Sequence, residues 1–192
     1  MDLSKISEQI TSSLNEWLKH KGKVVVGLDG YSGIGKTTLL KYLAEKNKRI
    51  KPLFMDDFVT TANTKEKLLS QIENSSPSLS LEWRDHKGFE KIRDLIKEFK
   101  DQDTKHNILL LEGIFLFHPE VLNDVWDKRI FIDGNIGEAD ERRIKREKER
   151  WGLDYFPETH PDSYARLFKI AWARYLKLNN PMAKADLVIK ID

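Results

Sequence analysis

Residues 30 to 37 read Gly-Tyr-Ser-Gly-Ile-Gly-Lys-Thr and match the spacing G-x-x-x-x-G-K-[ST]. The residue types follow from what a polyphosphate demands. Backbone N–H groups of residues 32 to 38 can wrap a multiply charged anion only where side chains at Gly30, Gly33 and Gly35 do not obstruct the wrap or forbid its dihedrals. Lys36 supplies a mobile positive charge for the β- and γ-phosphates, and Thr37 offers a hydroxyl to Mg²⁺. Tyr31, Ser32, Ile34 and Thr38 complete the cradle. An apolar run, Val24 to Leu28, precedes it, and the periodic residues Leu39, Leu40, Tyr42 and Leu43 follow. That is the strand, loop and helix this chemistry needs, with the helix dipole adding to the attraction. The implied ligands are ATP and Mg²⁺.

Two acids stand where strands should end. Glu112 follows Leu109, Leu110 and Leu111 and precedes Gly113. A cation held by Thr37 needs a carboxylate there; the competing reading is an acid that merely starts a loop. Asp56 ends the run Phe54-Met55-Asp56-Asp57-Phe58, at the edge where open α/β folds bind ligands. Phosphoryl transfer to an alcohol needs a carboxylate that orients the acceptor hydroxyl and takes its proton. Asp56 is the candidate base, since Asp57 points to the opposite side if the chain stays extended. Turn capping is the alternative for both.

Residues 137 to 150 contain only Ala139 and Ile144 as apolar positions, so a helix here has little to bury. Arg142, Arg146 and Arg150 fall at i, i+4 and i+8 and project from one face, a geometry suited to closing over phosphates. A solvated face of Glu/Arg pairs fits the same spacing. Trp83, Arg84, Asp85 and His86 form a polar and aromatic group that suits a polyhydroxylated substrate, although Asp85 is equally placed to cap a helix. His118 and His160 lack metal-ligand spacing. Trp126, Trp151, Phe168, Trp172 and Tyr175 read as packing residues.

The elements that must position these groups alternate. Short β-branched runs at Val24 to Leu28, Ile50 to Met55, Asn107 to Leu111, Lys128 to Asp133 and Asp186 to Ile191 read as strands. Helical periodicity occupies 3 to 19, 36 to 47, parts of 62 to 73, 89 to 99, 137 to 150 and 162 to 178. Continuously apolar strands separated by helices predict a three-layer α/β/α sandwich around a mostly parallel five-stranded sheet. The expectation is one domain over 1–192, with an N-terminal helix in 1–20 and a lid in 137–155. The Ser/Pro-rich stretch 74 to 80 is of loop length.

Composition narrows the partners. The chain has 192 residues, 40% hydrophobic and 33% charged, and 33 Lys+Arg against 31 Asp+Glu leave a formal +2. That is too balanced for binding driven by phosphate neutralisation of nucleic acid or by acidic lipid. Zero cysteines exclude thiol catalysis and Cys-ligated zinc. No run approaches the roughly 20 apolar residues of a spanning helix, and the first twenty residues hold no unbroken apolar stretch. The expected setting is cytoplasmic. The expected partner is a small-molecule substrate, with no nucleic acid and no membrane, and a homo-oligomer remains open.

Taken in order, these pieces resemble the uridine kinase-like P-loop kinases, which include uridine-cytidine and nicotinamide riboside kinases and are related to phosphoribulokinase. The resemblance runs from about Val24 to Ile191. It rests on the Gly30 motif, Asp56 to Phe58, Trp83 to Asp85, Glu112-Gly113, Arg142-Arg143-x-x-Arg146 and Ala185 to Ile189. It implies a P-loop NTPase fold, with Asp56 as general base, Glu112 serving Mg²⁺ and Asp85 binding sugar hydroxyls beside Phe58 and Trp83. It also implies Arg143 near the acceptor sugar and Arg146 and Arg150 near ATP. Three departures bear on the acceptor. Val59 replaces an aromatic residue, Leu153 follows Gly152 where pyrimidine kinases carry a base-reading Arg, and 101 to 107 leave no room for their Tyr/His hairpin.

The reading is an ATP:alcohol phosphotransferase with a nucleoside or nucleoside-like acceptor, in which Asp56, Lys36 and Arg146 act on the reacting groups. A non-nucleoside acceptor, pantothenate- or glycerate-like, is the alternative. A nucleotide-dependent regulatory ATPase and, more weakly, a nucleic-acid-processing ATPase compete with both.

Overall fold

A computed structural model describes residues 2–58, 86–102, 104–118, 122, 124–152, 155–160 and 163–191. Asp2 starts the first helix, α1 (Leu3–Lys19), by accepting hydrogen bonds from the N–H groups of Ser4 and Lys5. Such a cap satisfies donors that a helix start otherwise leaves unpaired. Ile6, Ile10 and Leu14, spaced by four, turn one stripe of α1 into the core.

Five strands follow: β1 (Val24–Gly30), β2 (Ile50–Phe54), β3 (Ile108–Glu112), β4 (Lys128–Gly134) and β5 (Leu187–Ile191). They form one sheet in the order β2-β3-β1-β4-β5, and every pair is parallel. All residues of β1 and β3 are buried, which is why these strands read as unbroken apolar runs. Between them lie α2 (Lys36–Lys46), α3 (His86–Asp101), α4 (Ile136–Trp151) and α5 (Tyr164–Asn179). The chain moves one way across the sheet from β1 to β2 and the other way thereafter. Right-handed crossovers therefore put α2 on one face and α3, α4 and α5 on the other. The helix α1 packs against α2, completing three layers around a shared buried cluster.

Register brings the candidate groups to one edge. Glu112 lies opposite Leu28 on one side and Phe54 on the other, so the C-terminal ends of β1, β2 and β3 are level. Order reverses across β1, and that is where a parallel α/β sheet opens a crevice.

Several boundaries differ from the sequence reading. The strand β1 runs on through Asp29 to Gly30 because the buried Asp29 carboxylate finds partners inside the fold. β2 ends at Phe54, and Met55–Asp57 form a 3₁₀ turn. β3 begins one residue after Asn107 and ends on Glu112 itself. α5 starts at Tyr164, where the Ser163 hydroxyl accepts from the Arg166 N–H. α3 exceeds its expected span at both ends. The helix expected within 62 to 73 lies outside the described residues.

Candidate active site

The loop between β1 and α2 carries the dihedrals its glycines were chosen for. Gly33 has φ +84° and Gly35 φ +106°, both in the left-handed region that side chains disfavour. Gly35 is the N-cap of α2 and supplies no side-chain hydrogen bond, so the first N–H groups of that helix open onto the cavity. Lys36 is buried and donates to the carbonyls of Gly30, 2.8 Å, and Tyr31, 2.9 Å.

A cavity of about 400 Å³ opens above this loop. Ser32 to Thr38 form its floor; Asp56, Glu112, Gly113 and Ile114 line one side, and Asn135, Glu138, Arg142, Arg146 and Ile191 the other. Of the predicted residues, the fold therefore brings together Ser32, Gly33, Ile34, Gly35, Lys36, Thr37, Thr38, Asp56, Glu112 and Arg146. Thr37 and Glu112 are 75 positions apart, and the Thr37 hydroxyl donates to Glu112 Oε1 at 2.9 Å. Burial pushes the Glu112 carboxyl up, with the Lys36 charge and the Thr37 hydrogen bond opposing the rise. An alcohol oxygen and a carboxylate oxygen side by side on a wall below a phosphate loop are hard ligands of the kind Mg²⁺ takes together with phosphate oxygens. These residues fit the ion.

Asp56 reaches the cavity through the 3₁₀ turn rather than from an extended strand. The turn seats Met55 under Gly113, where an added Cβ would lie 2.9 Å from three Met55 side-chain atoms. Gly113 thus lets the ends of β2 and β3 close up, and both acids share one rim. Asp57 is exposed and absent from the lining.

Four expectations change. Arg143 does not face the cavity: it is 1% exposed, paired with Asp140 and Glu147 at 2.8 Å each and placed 4.9 Å over the Phe168 ring. The reason is helical geometry, since Arg143 sits about 100° round α4 from Arg142. Tyr31 is buried among Phe168 and Trp172 rather than on the cavity floor, and Gly30 lies in the strand, beneath that floor. Phe58 is half-buried against the core, away from the lining. Trp83 and Asp85 lie outside the described residues, and the Arg150 side chain is likewise not described.

Arg142 lies on the face that the spacing aims at the phosphates, and its Nε donates to the Gly33 carbonyl at 3.0 Å. Sequence reasoning missed Asp29. Asp29, fully buried, accepts from the Gly30 N–H at 2.7 Å and from the Tyr175 hydroxyl at 2.5 Å. Burial raises its carboxyl, against the Tyr175 hydrogen bond and the Lys36 charge. An acid inside an apolar strand next to the motif was the available signal.

No protein-family model matches the chain. The chain is 26% identical over 145 residues to a uridine kinase of Ureaplasma parvum, covering 66% of this chain and 70% of that protein. It is 24% identical over 194 residues to uridine kinase-like protein 3 of Arabidopsis thaliana, over 89% of this chain. By sequence it is similar to uridine kinase-like proteins, and its fold is shared with P-loop kinases. The chain spans only 40% of the length of the Arabidopsis relative. A solved structure described as a possible uridine kinase from Bacillus stearothermophilus superposes with TM-score 0.63 at 19% identity, over 98% of this chain and 100% of that one. A D-glycerate 3-kinase from Cryptococcus neoformans superposes with TM-score 0.60 at 13% identity, over 99% and 96%. The fold is thus shared with proteins that carry different acceptors in their names. No helix among the described residues is long and apolar enough to cross a membrane.

Proposed function

We propose that the chain is an ATP-dependent phosphotransferase that moves the γ-phosphoryl group to a hydroxyl of a nucleoside or nucleoside-like metabolite. The observation that carries this reading is the meeting of Asp56 and Glu112 on one rim of a cavity with Lys36, Arg142 and Arg146 on its floor and opposite wall. One acid suffices to help hold a metal for ATP binding. A second on the same rim, outside the Thr37–Glu112 hydrogen bond, is what an acceptor alcohol requires.

In this reading Asp56 accepts the proton as the acceptor oxygen bonds to the γ-phosphorus and the bond to the bridging oxygen breaks, releasing ADP. Lys36 and the α4 arginines balance the charge on the moving group. Thr37 and Glu112 would hold Mg²⁺, which neutralises phosphate charge when bound. The α4 wall shields the cavity from water that would otherwise compete with the acceptor.

A second reading, a non-nucleoside hydroxy-acid acceptor, draws support from the likeness to D-glycerate 3-kinase and from Leu153 in place of a base-reading Arg. The test is ATP consumption against uridine, cytidine, nicotinamide riboside, pantothenate and glycerate, with Asp56→Asn alongside. The expected result is strong acceleration by one acceptor, abolished in Asp56→Asn with MgATP binding intact. Slow turnover indifferent to every acceptor would instead favour a regulatory ATPase.

A further inference from the structure

The side of α4 that faces away from the cavity carries a polar cluster with no part in the chemistry above. Asp140 lies at its centre. Its Oδ1 accepts from the Tyr31 hydroxyl at 2.6 Å and from Arg143 at 2.8 Å, and its Oδ2 pairs with Lys169 of α5 at 2.9 Å. Arg143 is also held by Glu147 at 2.8 Å, and Lys169 by Glu158 at 2.8 Å. Burial alone would raise the Asp140 carboxyl, but the hydrogen bonds from Tyr31, Arg143 and Lys169 outweigh it and hold the group below its ordinary value. Tyr31 belongs to the phosphate loop itself, so the cluster ties that loop, α4 and α5 together.

Arg142 and Arg146 occupy the adjacent face of the same two turns. Arg142 donates to Gly33 O, and Arg146 reaches the Ser32 hydroxyl at 3.4 Å. Where these guanidinium groups stand depends on how α4 is rotated about its axis. A rotation of about 20° moves a side-chain tip some ~6 Å off the axis by roughly 2 Å, more than a hydrogen bond tolerates. Something must fix that angle. We propose that Tyr31, Asp140 and Arg143 are positioning residues that lock the rotation of α4 against the phosphate loop, so that Arg142 and Arg146 are held over the polyphosphate of a bound nucleotide. The proposal rests on the nucleotide reading above. It replaces the expected role of Arg143 as a sugar ligand with one exerted through its neighbours on the helix.

The test is a double-mutant cycle read by MgATP binding in calorimetry. Tyr31→Phe removes one hydroxyl and keeps the ring edge-to-face with Phe168 and Trp172. It should weaken MgATP about tenfold in the otherwise wild-type chain, the worth of a charge-assisted hydrogen bond. In a chain carrying Arg142→Ala and Arg146→Ala, the same change should cost less than about twofold, because the groups it positions are gone. Equal losses in both backgrounds, or no loss in the first, would overturn the proposal. If Tyr31→Phe fails to fold, Asp140→Asn is read in the same cycle with the same criteria. Failure of the wild-type protein to bind MgATP would overturn the nucleotide reading and this inference with it. Wild-type binding with additive losses overturns the inference alone.

Discussion

Substituting Gly33 by Ala perturbs the cradle at its tightest point. An added Cβ would lie 2.3 Å from the Ala139 carbonyl oxygen and 3.2 Å from its carbon. Both atoms are backbone of α4, so no side chain can rotate aside, and contact at ordinary distance requires separating loop and helix by about 1 Å. The residue also holds φ +84°, which costs an L-residue about 1–2 kcal/mol. Adding roughly 1–3 kcal/mol for overpacking gives a loss of about 2–5 kcal/mol. For a chain of this length each kcal/mol lowers the melting temperature by about 2–4 °C, so the expected drop is about 4–20 °C. Moving α4 away also withdraws Arg142 from Gly33 O, so the stabilisation that MgATP confers on the wild-type protein should largely vanish. Melting curves with and without MgATP read both effects. Gly22→Ala is the control, since nothing lies within 4 Å of its added Cβ, and its melt should match the wild type within about 0.5 kcal/mol. A Gly33→Ala protein that melts with the control and keeps the full MgATP shift would refute the claim that α4 is packed directly on the phosphate loop.

Other outcomes follow from the buried charges. Glu112 and Asp29 both have carboxyls raised by burial above their ordinary values of 4.5 and 3.8. The folded chain therefore retains protons the unfolded chain has released, and the stability these groups supply is complete below the ordinary values and lost as pH rises through the folded ones. Melting temperature without ligand should fall with pH across that window while MgATP affinity climbs, as Glu112 becomes an ionised ligand. Glu112→Gln should reduce both slopes, and unchanged slopes would exclude Glu112 as their source. Lys36→Ala removes the buried ammonium from the carbonyls of Gly30 and Tyr31. MgATP binding should weaken by about a hundredfold, from loss of more than one charge-assisted contact, and the ligand-free protein should melt lower, because two carbonyls lose a buried donor and the Glu112 and Asp29 carboxyls lose the charge that opposes their rise. Wild-type affinity in that variant, measured by calorimetry, would contradict the assignment of Lys36 to the phosphates.

The parts legible in the sequence are those fixed by local rules. Val24 to Leu28 followed by the Gly30 motif announces a strand, a left-handed loop and a helix start because each step is set by dihedrals or by burial on both faces. Glu112 was legible for a related reason, as an acid ending an apolar run before a glycine. What Gly113 does was not, since its reason is Met55, from a strand that neighbours β3 only after folding. Asp29 is not legible because an ionisable group rarely ends inside a sheet; its partners include the next residue and Tyr175, 146 positions away. The burial of Arg143 is partly legible. Asp140, Arg143 and Glu147 are spaced by three and four, which makes a stripe of ion pairs on one helix face. The spacing alone could not tell whether that stripe or the Arg142–Arg146 stripe meets the phosphates. Tyr31, Phe168 and Lys169 decide it, and they converge only in three dimensions.

Lys36 is held by the carbonyls of Gly30 and Tyr31, and Arg142 by that of Gly33, so loop oxygens occupy these cations where phosphate oxygens would. Entry of a polyphosphate then exchanges one set of oxygen acceptors for another with little movement of charge. A cation that must swing in from solvent gives up hydration and rotamer freedom at the moment of binding; one already seated beside the loop has met most of that cost during folding. The cluster around Asp140 keeps α4 in the orientation where this exchange is short. The rigidity at the phosphate end is thus an electrostatic arrangement prepared by the fold, and discrimination among acceptors must come from groups other than those that grip the phosphates.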